Sequence, residues 1–207
     1  MIKYFDNFLF DFDDTLVNSG KEHEKAFRLV IKKHGNNIKK INDFNYDNIK
    51  GLKTIEALKK IGFTNKLNYL TSCKQNYYKT SIKKIKFFPY ALKLIDYLQK
   101  KKKNIFIVSG GSKENIKKII KKKNFAPKGI ISSESCKQSK PQKKPYELCI
   151  LKYNLKKKRT IAIEDSLNGI RSAKKNKIFT VGVYNVKIIN DCDVFFKNIK
   201  QFYKSLI

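Results

Sequence analysis

The chain has 207 residues, of which 47 are lysine or arginine and 17 aspartate or glutamate, giving a net charge of +30. At roughly 150 residues per domain this is one to two domains, long enough to bury a core without disulfide or metal staples. A hydrophobic content of 41% excludes intrinsic disorder despite the charge, and no apolar run reaches the roughly 18 residues of a membrane span.

In chain order, residues 5–10 are a short apolar and aromatic run ending on acids, which predicts a buried strand with Asp11 and Asp13 at its C-terminal end. From Lys21 to His34, Ala26, Phe27, Val30 and Ile31 recur at helical spacing, and Gly35 stops the helix. Residues 36–50, rich in Asn, Asp and Lys, predict a loop with short helices. A helix over Lys53 to Ile61 ends at Gly62, and residues 66–85 predict another. Phe88-Pro89 opens a helix whose core face is Ala91, Leu92, Leu94, Ile95 and Leu98. Then come a strand at 105–108, a Ser109-Gly110-Gly111-Ser112 turn, a helix through Ile116, Ile119 and Ile120, and a short strand at 129–131. A polar loop over 132–145 contains Lys140-Pro141. A helix over 146–153, a strand over 160–163 and a helix over 167–175 follow, then strands at 178–183 and 194–196 and a last helix at 199–206. The lysine runs 100–103 and 121–123 fall at helix C-termini, where cations complement the helix dipole.

Strands alternating with helices predict an α/β fold: a Rossmann-like three-layer core with a mostly parallel sheet, plus an inserted helical block. Ligands of such sheets bind outside the carboxyl ends of the strands. There the sequence places Asp11, Asp13, Ser109, Lys140 (on a loop after a strand), Glu164 and Asp165. Acids at this density repel one another unless a cation lies among them, and oxygen-only donors without histidine favour Mg²⁺ over zinc. A Mg²⁺ site beside a lysine and a hydroxyl suits a phosphoryl group.

The order of these residues carries a resemblance. Asp11-Phe12-Asp13-Asp14-Thr15-Leu16-Val17-Asn18-Ser19 is similar to D-x-D-x-T-L-x-x-S. Val108-Ser109 follows, then Lys140-Pro141-x-x-x-Pro145-Tyr146, and last Glu164-Asp165-Ser166-x-x-Gly169. Together they resemble the four motifs of the haloacid dehalogenase superfamily, in its phosphatase and β-phosphoglucomutase-like branch, over essentially the whole chain. The resemblance implies a catalytic core over residues 1–17 and 86–207 and a mobile helical cap over 18–85. It implies that Asp11 is the nucleophile, forming an aspartyl-phosphate, and that Asp13 is the acid and base. Mg²⁺ is then held by Asp11, the Asp13 carbonyl and Asp165, with Glu164 a ligand or a nearby acid. Ser109 contacts a phosphoryl oxygen, Lys140 neutralises charge, and backbone N–H groups near Phe12 and Gly110 complete the cradle. A carboxylate at position 13 signals phosphoryl transfer, because attack on carbon has no use for it, so dehalogenation is rejected.

Three positions depart from the family pattern: Asp14 stands where glycine is usual, Lys143 where proline is, and Gly110 where asparagine is common. Ser166 is expected as a helix N-cap or a ligand contact, and Asn168 and Gly169 as turn and packing residues. His23 either touches substrate or relays a proton, or is structural. Lys50-Gly51 resembles a cap segment that faces the site in phosphoglucomutase-like relatives, although in so lysine-rich a chain a solvated lysine is expected.

The function this implies is a Mg²⁺-dependent phosphatase acting on a small phosphorylated metabolite, phosphoglycolate- or sugar-phosphate-like. The alternative is a phosphomutase of the β-phosphoglucomutase type. A rival from another class is a nucleic-acid-associated phosphatase or binding protein. Only three of the basic residues are arginine (Arg28, Arg159 and Arg171), and arginine's planar fork is what nucleic-acid recognition draws on. The lysine excess therefore reads as a solvated surface, and nucleic acid is not an expected partner. Cys73, Cys136, Cys149 and Cys192 are widely spaced with no C-x-x-C pair, which predicts reduced thiols. The opening residues lack the features of a secretory signal. A cytoplasmic monomer or weak homo-oligomer is expected.

Overall fold

A computed structural model describes residues 2–35, 44–121, 123 and 125–207. A six-stranded sheet forms the centre, in the order β3-β2-β1-β4-β5-β6. Its strands are β1 (Asn7–Phe10), β2 (Asn104–Val108), β3 (Gly129–Ile131), β4 (Thr160–Glu164), β5 (Phe179–Val183) and β6 (Val194–Phe196). Every pairing is parallel, so the sheet is more regular than the mostly parallel one expected. The helices are α1 (Gly20–His34), α2 (Thr54–Ile61), α3 (Leu67–Ser81), α4 (Ala91–Lys100), α5 (Lys113–Lys121), α6 (Lys144–Lys152), α7 (Leu167–Lys174) and α8 (Ile199–Leu206).

The strands are near-continuous apolar runs because both faces of the sheet are covered. Alternation sends Phe8, Phe10, Ile105, Ile107, Ile161, Ile163, Val181 and Val183 to one face, against α4, α5 and α8. Leu9, Phe106, Val108 and Ala162 go to the other, against α6 and α7. A separate core of Phe27, Val30, Ile31, Leu58, Ile61 and Leu70 holds α1, α2 and α3 to one another. These helices form the block inserted between β1 and α4. The predicted loop over 36–50 lies partly outside the described residues; within them, Tyr46–Ile49 is a single 3₁₀ turn. Lys122, in the second lysine run, also lies outside them. Of the expected α4 core face, Ala91, Leu94, Ile95 and Leu98 are buried and Leu92 is partly exposed.

Two short segments connect the helical block to the sheet, and they lie side by side. Val17 bridges Phe87 in antiparallel fashion, Asn18 N–H donates to the Lys86 carbonyl at 2.9 Å, and Phe88 N–H donates to the Leu16 carbonyl at 2.9 Å. All four cysteines are unpaired. No helix among the described residues is long and apolar enough to cross a membrane.

Leu9 sits fully buried in the middle of the central strand. Leu9→Ala is expected to cost about 2–5 kcal/mol through lost transfer energy and the cavity left behind. Urea denaturation checks this as a lower midpoint at an unchanged slope.

Candidate active site

The register of the central strands sets the site. Phe10 pairs with Ile107 and with Ile163, so β1, β2 and β4 end at one edge. Asp11 N–H still donates to the Ile163 carbonyl, and Ser109 N–H to that of Ile131. The carboxyl ends of three strands therefore deliver Asp11, Ser109, Glu164 and Asp165 together, and the loop before α6 adds Lys140.

Lys140 is 1% exposed and its ammonium donates to Asp11 Oδ1 at 2.5 Å and to Glu164 Oε1 at 2.6 Å. Burial disfavours its charge, but Asp11 and Glu164 more than offset that and hold its proton more tightly than usual. Burial raises Asp11, Lys140 opposes the rise, and Glu164, Asp165 and Asp13 add to it. Glu164 has both oxygens occupied: Tyr146 donates its hydroxyl to Oε1 at 2.6 Å, and the Ser166 hydroxyl lies 3.3 Å from Oε2. Of the two readings of Glu164, this geometry favours an anchor for Lys140 over a metal ligand. Ser166 is the N-cap of α7, accepting from Gly169 N–H at 3.1 Å.

Asp165 receives the Thr15 hydroxyl at 3.1 Å, and its carbonyl receives the Asn185 amide at 3.1 Å. Burial raises its carboxyl, and Lys50 pulls it down. Lys50 is thus not the solvated lysine expected. Its ammonium lies 3.1 Å from Asp14 Oδ2 and 3.6 Å from Asp165 Oδ2, where the two acids raise its proton affinity against the effect of burial. Asn168, expected only to turn and pack, donates its amide to the Lys50 carbonyl at 2.8 Å and so fixes that segment. Asp14 has a left-handed backbone (φ 58°) and accepts from Gly20 N–H at 2.7 Å, which explains why a short polar residue can stand where glycine is usual.

Asp13 turns its carboxylate away from this cluster. Its Oδ1 accepts from Ser19 at 2.6 Å and lies 3.1 Å from His23 Nε2, and its Oδ2 accepts from Ser109 at 3.4 Å. Burial works against its charge, yet His23 and Ser19 hold it down to about 2. His23 is buried, stacked on Tyr78 at 3.8 Å, with Nδ1 2.6 Å from the ammonium of buried Lys74. When Lys74 is charged its ammonium only donates, so Nδ1 then accepts and the neutral ring presents Nε2–H to Asp13. Burial lowers both His23 and Lys74, the latter to about 7.

Lys74 was not among the residues marked by the sequence. One lysine among so many carries no signal by type. Its spacing does: Leu70, Lys74 and Tyr78 sit at i, i+4 and i+8 on the buried stripe of α3, where a cation is out of place. Gly110 has a clearer reason than its motif suggested. A Cβ there would lie 2.8 Å from the Leu52 carbonyl oxygen and 2.9 Å from that of Gly51, so glycine lets the helical block close onto the β2 turn.

Carboxylate oxygens of Asp11, Glu164 and Asp165 lie within 4.8 Å of one another. The buried donors are all oxygens, and burial, with the neighbouring acids, makes Asp11 and Asp165 hold their protons more tightly than usual. This crowding fits a hard divalent cation.

With this geometry in view, comparison with known proteins places the chain. Residues 8–183 match the family described as haloacid dehalogenase-like hydrolase. The chain belongs to this family. Its fold is also that of solved structures of low identity. One is β-phosphoglucomutase from Clostridium difficile, 22% identical, with a TM-score of 0.82 over 97% of this chain and 98% of that one. Another is a hydrolase from Pseudomonas syringae, 15% identical, TM-score 0.83, covering 97% and 98%. A third is CbbY from Rhodobacter sphaeroides in complex with phosphate, 17% identical, TM-score 0.80, covering 96% of each chain. As a hydrolase of this family the protein is an enzyme.

Gly169 gives a direct test of the Glu164 anchor. A Cβ there would lie 2.0 Å from the Glu164 carboxyl carbon. Gly169→Ala is expected to push Glu164 off Lys140 and Tyr146 and to cost about 1–3 kcal/mol by overpacking, read by chemical denaturation.

Proposed function

We propose that the protein is a Mg²⁺-dependent phosphatase that hydrolyses a small phosphate monoester through an aspartyl-phosphate on Asp11. One observation carries this reading. Two carboxylates two residues apart sit in opposite electrostatic surroundings: Asp11 against the Lys140 ammonium, Asp13 against Ser19, His23 and Ser109. Two acids in separate environments are what a nucleophile and a proton carrier require.

Asp11 attacks phosphorus in line with the leaving oxygen, and the phosphorus–oxygen bond to the alcohol breaks as the bond to the carboxylate forms. Lys140 and Ser109 hold phosphoryl oxygens and offset their charge. Asp13 is ionised at rest. An incoming phosphate dianion sets like charge beside it and raises its affinity for a proton; Asp13 takes that proton from solvent as the ester binds and then passes it to the leaving alkoxide. Asp13 next takes a proton from the water that attacks the aspartyl-phosphate, and phosphate leaves. His23 and Lys74 keep the Asp13 carboxylate aimed through both steps. Mg²⁺ would be held by the Asp11 and Asp165 carboxylates and the Asp13 carbonyl, supplying positive charge at the phosphoryl oxygens. The helical block over 18–85 acts as a cap that shuts water out while Asp11 reacts.

Hydrolysis of p-nitrophenyl phosphate, with and without Mg²⁺, tests the reading. Phosphate release is expected to need the metal, to fall about 10³-fold or more in Asp11→Asn, and to fall about 10²–10⁴-fold in Asp13→Asn. Release that persists after chelation, or in Asp11→Asn, overturns it.

A further inference from the structure

A cavity adjoins the catalytic groups, and it has a second wall that the chemistry above does not use. Asp11, Asp13 and Ser109 line one part of it; Thr54 on α2, Gln75 on α3 and Asn115 on α5 line another. These three make a chain of uncharged hydrogen bonds. The Asn115 amide donates to Gln75 Oε1 at 3.2 Å, and the Gln75 amide donates to the Thr54 hydroxyl at 3.1 Å. Asn115 is 4% exposed, and its Oδ1 has no hydrogen-bond partner among the described residues. A buried amide oxygen left without a donor is costly, and at a cavity wall it marks a place where a ligand supplies one.

The cations that line this cavity are already engaged. Lys50 pairs with Asp14 and Asp165. Lys74 holds His23 and lies over the rings of Phe27 and Tyr78, 4.9 and 5.0 Å from their centroids. A carboxylate or a second phosphate at the Asn115 wall would set oxygen against oxygen, with no free ammonium among the described lining residues to offset it. A hydroxyl both donates and accepts, so it satisfies Asn115 and can return a bond to the chain.

We propose that Asn115, oriented by Gln75 and Thr54, is a specificity residue that selects phosphate esters whose alcohol carries a further neutral hydroxyl, as polyols and sugars do. This deepens the phosphatase reading and rests on it. It sets such esters above phosphoglycolate and above bisphosphorylated compounds. The chain spans the seam between α5 and the helical block, so the correct alcohol also completes the contacts that close the block over the site.

The test compares glycerol 3-phosphate with n-propyl phosphate, which share a three-carbon alcohol and differ by two hydroxyls. Titration calorimetry on the full-length Asp11→Asn protein with Mg²⁺ reads binding without turnover. The glycerol ester is expected to bind at least tenfold more tightly. Adding Asn115→Leu should bring the two within about twofold, and Gln75→Met, which keeps the side chain's length, should shift the ratio the same way if Asn115→Leu fails to fold. Equal affinities in the parent, a preference that survives both variants, or no measurable binding of either ester overturns the proposal. Turnover of the two esters by the wild-type enzyme is a separate readout: its absence counts against the phosphatase reading, and the binding ratio still decides the role of Asn115.

Discussion

The site depends on one buried ammonium. Lys140 lies between Asp11 and Glu164 with almost no exposure, and without it the edge of the sheet would gather acids that cannot all stay charged. The desolvation of such a cluster is severe, so Glu164 and Asp165 are held by hydroxyls as well: Tyr146 and Ser166 on Glu164, Thr15 on Asp165. The parallel sheet brings the strand ends into line, but the lysine lets them carry like charges a few ångströms apart. Its own position is fixed from the other side. Ser139, the residue before it, donates its hydroxyl to Glu56 of α2, and Lys53 donates to the carbonyls of Cys136 and Lys137 on the same loop. The helical block is therefore in contact with the loop that supplies the cation.

Most of the fold was legible because its signals are local. The apolar runs of β1, β2, β4 and β5 end on polar residues, and helices with clear apolar stripes separate them. Most of the motif residues could be placed because they end a strand or open a helix, while Lys140 lies on the loop before α6. What stayed hidden was of another kind. The strand order puts β1 between β2 and β4, and no property of the runs themselves says so. Lys50 looked like any other lysine, and only the fold shows that two acids face it. Lys74 was hidden by composition: in a chain this rich in lysine, a buried one differs from its neighbours only by its position on a helix stripe. Asn115 and Gln75 meet across the seam between two units, a contact that neither segment announces alone.

The site draws its groups from two parts of the fold. Asp11, Ser109 and Asp165 sit at strand ends within a packed sheet, while Lys50, Thr54, Lys74 and Gln75 come from the helical block. The Asp13 carboxylate stands at the junction, held by Ser19 and His23, which lie before and within α1. The block therefore surrounds the Asp13 carboxylate and also touches the loop that carries Lys140. Gly110 and Gly51 meet at the same junction, where any side chain on Gly110 would hold the two units apart.

The paired crossing at Asn18 and Lys86 has an architectural consequence. The insertion leaves and re-enters the core through residues joined by a hydrogen bond, so the core sees a fixed gap whatever lies beyond it. The entropy of closing a loop grows only slowly with its length. Material of very different size or sequence can occupy that gap with little cost to the folding of the sheet. The crossing is a socket: the inserted helices can be exchanged by design while the sheet that carries Asp11, Ser109 and Asp165 keeps its fold.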